Sequence, residues 1–280
     1  MSSHRLPTLI TCGTGKTGRR VADRLEALGR PVRIGSRSGH PPFDWNDPAT
    51  WPPALDGVGS VYITYVPDLA FPGAAEAVDA LSRLAVERGV RRLVLLSGRN
   101  EAGAERGEQA VQRSGADWTI VRSSFFAQNF SEGAFLDAVR AGEIAVPAGD
   151  VAEPFVDVDD IADLVVAALT DDRHIGELYE VTGPRLLTFA DVAADLTTAM
   201  GRPVRYVPIN SDDFAAGLQA AGLPDDEVTG LVELFTEVLD GRSAYLTDGV
   251  RRALGREPRD FTTYATAAAA AGVWDDEEVA

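Results

Sequence analysis

The stretch Leu9-Ile10-Thr11-Cys12-Gly13-Thr14-Gly15-Lys16-Thr17-Gly18, followed by Val21, Leu25 and Leu28, decides the fold. Leu9 to Thr11 reads as a short apolar strand and Cys12 to Gly18 as a glycine-rich turn. Val21, Leu25 and Leu28 recur at i, i+4 and i+7, one face of a helix, which Gly29 stops. Gly13, Gly15 and Gly18 fit G-x-G-x-x-G between a strand and a helix. One glycine makes the tight turn, a second lets backbone approach a pyrophosphate, and a third lets the helix pack close to the strand. The N–H groups at the helix start then bind phosphate. Alone the pattern is weak, but this context reads as a dinucleotide site built from Gly13, Thr14, Gly15, Lys16, Thr17 and Gly18. The competing reading is a tight βα turn without a ligand.

Outward from this turn, strands and helices alternate. Val32 to Gly35 is a second strand, ending at Ser36-Arg37, and Val61 to Thr64 is another, after a Pro/Trp-rich surface stretch. Val78, Leu81 and Ala85 mark a helix stopped by Gly89. Arg92 to Ser97 is almost wholly apolar, as in the middle of a parallel sheet covered on both faces. A helix over 104–114 and a strand over 118–121 follow. The alternation predicts an α/β fold, a Rossmann-type doubly wound parallel sheet. The second half is more mixed. Ile161, Val165 and Leu169 form a helical stripe, Thr188 and Asp191 make a capping box ahead of Val192 and Leu196, and Ser211 caps a short helix. Val228, Leu231, Val232, Phe235 and Leu239 form an amphipathic helix suited to a lid, a bundle partner or a dimer surface. The acidic end, 275–278, reads as a solvated tail.

Composition narrows the partners. Of 280 residues, 26 are Lys or Arg and 43 are Asp or Glu, a formal charge of −17. That balance argues against nucleic acid or an anionic membrane as the main partner. The 45% apolar, 25% charged composition is that of a globular chain of one large domain or two small ones. The single cysteine, Cys12, excludes an intramolecular disulfide and a Cys-based zinc site. His4, His40 and His174 fall at no ligand spacing, so no metal is expected. No signal peptide is read at the start, and no apolar run reaches the ~18 residues of a membrane span, so a cytoplasmic protein is expected. Lys16 is the only lysine.

The cofactor follows from the second strand. An NAD site places Asp or Glu there for the ribose diol. Here Ser36-Arg37 stands in that place, and an arginine fork suits a 2′-phosphate, which predicts NADPH. Asp44, after a possible third strand, either accepts from the adenine amino group or is a turn residue. Ligands of such folds sit at the carboxyl ends of the strands. Those ends supply Thr64, Ser97 and Ser123 toward the cofactor and Tyr65, Phe125 and Phe126 toward a substrate. The phenylalanines, with Phe130, make an aromatic wall for a flat ligand or ordinary core packing. Gln128 and Asn129 are placed to orient ligand or nicotinamide.

Thr11 to Gly18 resembles the T-G-x-x-G-x-x-G turn of extended and atypical short-chain dehydrogenases/reductases, with Cys12 where the first glycine is usual. Trp118-Thr119-Ile120-Val121-Arg122-Ser123-Ser124-Phe125-Phe126-Ala127-Gln128-Asn129-Phe130 resembles the NmrA-like segment "wTivRp-x-ff-x-Nf". Phe155 to Ala162 resembles "fVdv-x-DIA", and Gly176 to Pro184 resembles "G-x-x-yeltGP". The resemblance spans roughly residues 8–210. It implies an NADP-binding Rossmann domain over 1–150 and a smaller, interleaved substrate-covering part over 151–280, in a monomer or homodimer. Relatives of this type include triphenylmethane reductases, NADPH quinone reductases, atypical ketoreductases of aromatic polyketide (antibiotic) pathways and nonenzymatic NADP-sensing regulators.

Most short-chain reductases use Tyr-x-x-x-Lys on a helix after one of the central strands, with a serine at a strand end; tyrosine delivers the proton and lysine lowers its pKa. No tyrosine here has a lysine four residues on; Ala104 and Glu108 stand nearest those positions. Ser97 matches the family serine, and its expected role is a hydrogen bond to a substrate carbonyl. The expected function is hydride transfer from NADPH to a carbonyl or quinone of a bulky aromatic substrate without the usual relay. The alternative is a noncatalytic NADP(H) sensor that binds a partner protein. A nucleotide-sugar epimerase or dehydratase fits less well, because those enzymes keep the Tyr–Lys pair.

Overall fold

The fold comes from a computed structural model that describes residues 6–133 and 135–275. His4 and residues 276–278 of the acidic end lie outside them. In chain order, the first run is β1 (Thr8–Ile10), α1 (Lys16–Ala27), β2 (Val32–Ile34), α2 (Trp51–Leu55), β3 (Ser60–Ile63), α3 (Ala74–Glu87), β4 (Arg92–Gly98), α4 (Ala102–Gln112) and β5 (Asp117–Ser123). Then come α5 (Asn129–Glu132), α6 (Leu136–Ala141), β6 (Glu143–Val146) and β7 (Ala152–Glu153), and after them α7 (Val158–Thr170) and β8 (Glu177–Val181). The remainder is β9 (Leu187–Thr188), α8 (Phe189–Met200), β10 (Arg205–Pro208), α9 (Ser211–Ala220), α10 (Asp225–Val238), α11 (Gly249–Leu254) and α12 (Phe261–Ala270). The chain forms two compact units and passes between them after Ser123, Asp157, Val181, Thr247 and Arg256.

The first unit holds a six-stranded, wholly parallel sheet in the order β2-β1-β3-β4-β5-β8. Leu9, Ile10, Val61, Ile63, Leu93, Val94 and Leu95 are fully buried, as a sheet with helices on both faces requires. The order reverses at β1, so the crevice beyond the carboxyl ends of β1 and β3 is the ligand position of such sheets. Among the described residues no strand lies beyond β2 in this sheet. The possible third strand before Asp44 is a loop with one bridge, Asp44 to Asp47, because Pro41, Pro42 and Pro48 withhold the N–H donors a ladder needs.

Charge ties α1, α7 and the segment around α11 together within this unit. Arg24 reaches Asp163 (2.8 Å) and Asp159 (2.6 Å). Arg256 grips Asp160 (2.7 Å) and Asp163 (2.6 Å), and Asp160 is fully buried. His174, also buried, shares a hydrogen bond between Nδ1 and the Tyr179 hydroxyl (2.9 Å) and accepts at Nε2 from Arg173 (3.1 Å). Burial, and then the Arg173 charge, push the imidazole below its ordinary 6.5. The unfolded chain therefore binds more protons than the folded one once the pH falls below 6.5, and stability is lost from there downward. The His174 contribution to the unfolding free energy from urea titrations is expected to be flat above pH 6.5 and to fall below it, with a slope of at most about 1.4 kcal/mol per pH unit. His174→Gln should flatten that arm; an unchanged arm would remove His174 as its cause.

The second unit has its own core, a phenylalanine cluster. Phe130 stacks on Phe135 (5.2 Å), Phe155 meets Phe189 edge-on (5.5 Å), and Trp274 Nε1 donates to the Phe130 carbonyl (2.7 Å). The capping box of α8 is formed, Thr188 accepting from the Asp191 N–H (3.1 Å) and Asp191 from the Thr188 N–H (2.9 Å). The cap of α9 is Asn210 rather than Ser211; Asn210 Oδ1 accepts from the Asp213 N–H (2.8 Å), and Ser211 is the first helical residue. The amphipathic helix is α10. Its Val232, Phe235 and Val238 pack on the cluster, and Phe214 meets Phe235 at 4.9 Å. Among the described residues no helix is long and apolar enough to cross a membrane.

Candidate functional site

The glycine turn is bound into the sheet on both sides. The Gly13 N–H donates to Gly35 O (3.0 Å), the Gly35 N–H to Ile10 O (2.8 Å), and the Gly15 N–H to Cys12 O (2.9 Å). A Cβ on Gly13 would lie 2.9 Å from Ile34 Cγ2, and one on Gly18 only 2.5 Å from Cys12 O and 2.8 Å from Gly13 Cα. Gly13 thus lets β1 and β2 close up, and Gly18 lets α1 pack on the turn. Gly15, the N-cap of α1, carries no capping side chain, and no acidic residue lies in the first turn. The positive end of α1 is so shaped for an anion, and the residues fit a dinucleotide pyrophosphate. Cys12, in place of the usual first glycine, takes the left-handed φ of 49° that glycine adopts without strain. Its thiol donates toward Thr64 O (3.5 Å), and burial pushes it up.

At the end of β2, Ser36 is half-buried and Arg37 exposed. The chain then turns back, the Gly39 and Phe43 N–H groups donating to Ser36 O at 3.0 and 2.9 Å. Asp44 is built as a turn residue. Its Oδ1 accepts from the Asn46 N–H (3.0 Å), and its carbonyl accepts from Thr50 Oγ1 (3.3 Å) and Trp51 Nε1 (2.8 Å).

The ends of β3, β4 and β5 carry the remaining candidates of this unit. Thr64 locks β3 to β1, its hydroxyl donating to Thr11 O (2.8 Å) and its N–H to Thr11 Oγ1 (2.7 Å). Tyr65 is half-buried against Trp45 (4.9 Å), whose Nε1 donates to Thr64 O (2.9 Å). Ser123 Oγ donates to Ser97 O (3.4 Å). Ser97 itself is 3% exposed, and its hydroxyl donates to Glu108 Oε1 at 2.6 Å. The proton that sequence reasoning assigns to a substrate carbonyl is the one that Glu108 receives. Glu108 is in turn held by Arg122, Nε to Oε1 and Nη2 to Oε2, both at 2.6 Å.

Sequence reasoning missed Arg122 as a partner, and placed Glu108 only as the residue near the absent lysine. The parallel register sets Ser97 beside Arg122, and α4 lays Glu108 across both. Two further groups were missed at the same strand ends. Arg99, buried, donates to Glu180 Oε1 (2.9 Å). Burial pushes the Asp68 carboxyl up, against the lowering pull of the Ala70 N–H and of a hydrogen bond with Glu101.

In the second unit, Phe125 is part of the cluster, its ring 5.5 Å from Phe155, 5.9 Å from Phe235 and 6.0 Å from Phe189. Core packing thus accounts for it. Phe126 is half-buried and its backbone bridges Val156. Gln128 is buried and donates Nε2 to Asp157 Oδ1 (2.7 Å). Asn129 opens α5, and its carbonyl accepts from the Phe135 N–H (3.2 Å). Among the described residues no group of three or more His, Cys, Asp or Glu is placed to hold a metal ion.

No family model matches the chain. Individual proteins do. It is 34% identical over 276 residues to a protein of Bacillus subtilis (strain 168) described as an uncharacterized oxidoreductase, YesF, covering 94% of this chain and 96% of that one. It is 33% identical over 287 residues to an NAD(P)H azoreductase of Xenophilus azovorans, covering 94% and 98%. Among solved structures, the triphenylmethane reductase of Citrobacter sp., complexed with NADP(H), superposes with a TM-score of 0.73 at 17% identity, covering 94% of this chain and 99% of that one. NmrA, a negative transcriptional regulator solved with NAD, superposes with a TM-score of 0.69 at 15% identity, covering 94% and 95%.

Proposed function

The chain belongs to the NmrA-like, atypical branch of the short-chain dehydrogenases/reductases, and from that membership we propose that it is an NADPH-dependent reductase of bulky aromatic carbonyls or quinones. The glycine cradle at the start of α1 carries the reading, since a Cβ on Gly13 or Gly18 would stand closer than 3.0 Å to its neighbours. Bound there, NADPH supplies the hydride. Gly13 to Gly18 hold the pyrophosphate, and Ser36 and Arg37 hold the 2′-phosphate where an NAD site would place a carboxylate. Thr64, Ser97 and Ser123, at the strand ends, are assigned to the nicotinamide side, and Tyr65, at the end of β3, to the substrate. Two of the similar proteins are named as an azoreductase and a triphenylmethane reductase, which supports a reductase. Because neither Ala104 nor Glu108 can act as Tyr and Lys do, the proton comes from the substrate itself or from water. Placing the acceptor against the hydride carries most of the rate.

The test is loss of NADPH absorbance when the purified chain meets a panel of polycyclic quinones and hydroxyketones, with NADH alongside. Turnover with any of them supports the enzyme. Tight NADP(H) binding without turnover would favour the second reading, an NADP(H) sensor that acts on a partner protein, for which the lost Tyr–Lys pair speaks. Arg37→Ala is expected to weaken NADPH binding roughly ten- to thirtyfold while leaving NADH unchanged, as the loss of one charge-assisted contact would. An equal loss for both cofactors would mean that Arg37 does not read the 2′-phosphate.

A further inference from the structure

Ser97 stands where this family keeps a serine that donates a hydrogen bond, yet its surroundings reverse that chemistry. A hydroxyl has one proton to give and two lone pairs to receive with. The Ser97 proton goes to Glu108 Oε1 at 2.6 Å, the length of a hydrogen bond to a carboxylate. Glu108 cannot return it. Both its oxygens are taken by Arg122, at 2.6 Å each, in the two-pronged grip that a guanidinium gives a carboxylate. With Glu108 2% exposed, no water competes for that proton. Among the described residues nothing donates to Ser97 Oγ.

We propose that Ser97 is a hydrogen-bond acceptor for an N–H or O–H of the bound ligand, with Glu108 and Arg122 as the positioning residues that fix its polarity. The inference rests on the proposed NADPH reductase activity and adds to it a rule of specificity. The group set against the end of β4 carries a hydrogen, and a bare carbonyl oxygen is disfavoured there. Two ligand groups have that chemistry: the carboxamide NH2 of the nicotinamide and a hydroxyl or N–H of the substrate.

The full chain is to be titrated with NADPH and with its acetylpyridine analogue, which has a methyl group in place of the carboxamide NH2. In parallel, kcat and KM are to be compared for a naphthoquinone bearing a free hydroxyl and for its parent quinone. Wild type is expected to prefer the donor-bearing member of one pair by about five- to tenfold, the span of one hydrogen bond. The cofactor pair would identify the carboxamide as the donor, the quinone pair the substrate. Ser97→Ala, which removes only a hydroxyl, should abolish the preference. Glu108→Ala should abolish it too, because the serine proton then has no fixed acceptor and turns to the ligand. A purely structural Glu108 would change the melting temperature without touching that ratio. Absence of preference in both pairs, or a preference that survives Ser97→Ala, would overturn the inference while the reductase stands. A wild-type chain that binds no NADPH would bring down the reductase reading, and this one with it.

Discussion

Gly18→Ala is expected to weaken NADPH binding by at least about a hundredfold and to lower the stability of the fold by about 1–3 kcal/mol. The new Cβ would stand 2.5 Å from Cys12 O, 2.8 Å from Gly13 Cα and 3.1 Å from Gly13 C. All three atoms are backbone, so no side chain can swing aside. Either the first turn of α1 lifts off the glycine turn or the turn itself opens, and both displace the N–H groups that face a pyrophosphate. Gly217→Ala, in α9, is the control, since nothing lies within 4 Å of its Cβ position. It should leave NADPH binding as it is. Fluorescence titration with NADPH and thermal denaturation read the two effects. Wild-type affinity in a stably folded Gly18→Ala protein would mean that the turn is not the phosphate site.

That turn was legible because its physics is local. A tight βα connection needs its glycines within a few residues, and the helix after it shows its face in Val21, Leu25 and Leu28. The apolar run of β4 was legible for a related reason, since burial on both faces leaves no alternation to hide it. The surroundings of Ser97 were not. Glu108 and Arg122 are 14 residues apart, and only the β4–β5 register and the seating of α4 bring them to one hydroxyl. A glutamate on a helix and an arginine in a strand each read singly as surface charge. Phe125 presents the converse difficulty. An aromatic beside a strand end serves a wall or a core equally well, and the partners that decide it, Phe155, Phe189 and Phe235, lie 30, 64 and 110 residues away. Asp44 was open for a smaller reason, because whether the chain continues as a strand or turns depends on which N–H groups its prolines remove.

The second large effect belongs to the scaffold. Arg256→Ala is expected to cost about 3 kcal/mol, and its arithmetic turns on one carboxylate. Arg256 sets one nitrogen on Asp160 (2.7 Å) and another on Asp163 (2.6 Å). Asp163 keeps Arg24 at 2.8 Å in the variant and is itself partly exposed, so its loss is small. Asp160 has no access to solvent at all, whereas the guanidinium that faces it reaches solvent. Two sources can account for that cost, a buried carboxylate that loses one of its partners and the loss of the Arg256 contacts themselves, and a double variant separates the two. If the buried charge is responsible, Arg256→Ala with Asp160→Asn should recover part of the stability, and Asp160→Asn alone should cost less than Arg256→Ala. If contact itself is responsible, the two single losses should be alike and the double variant no better than either. Urea unfolding of the four proteins decides between them, and a loss below about 1 kcal/mol for Arg256→Ala would place Asp160 in a far more polar setting than its burial implies.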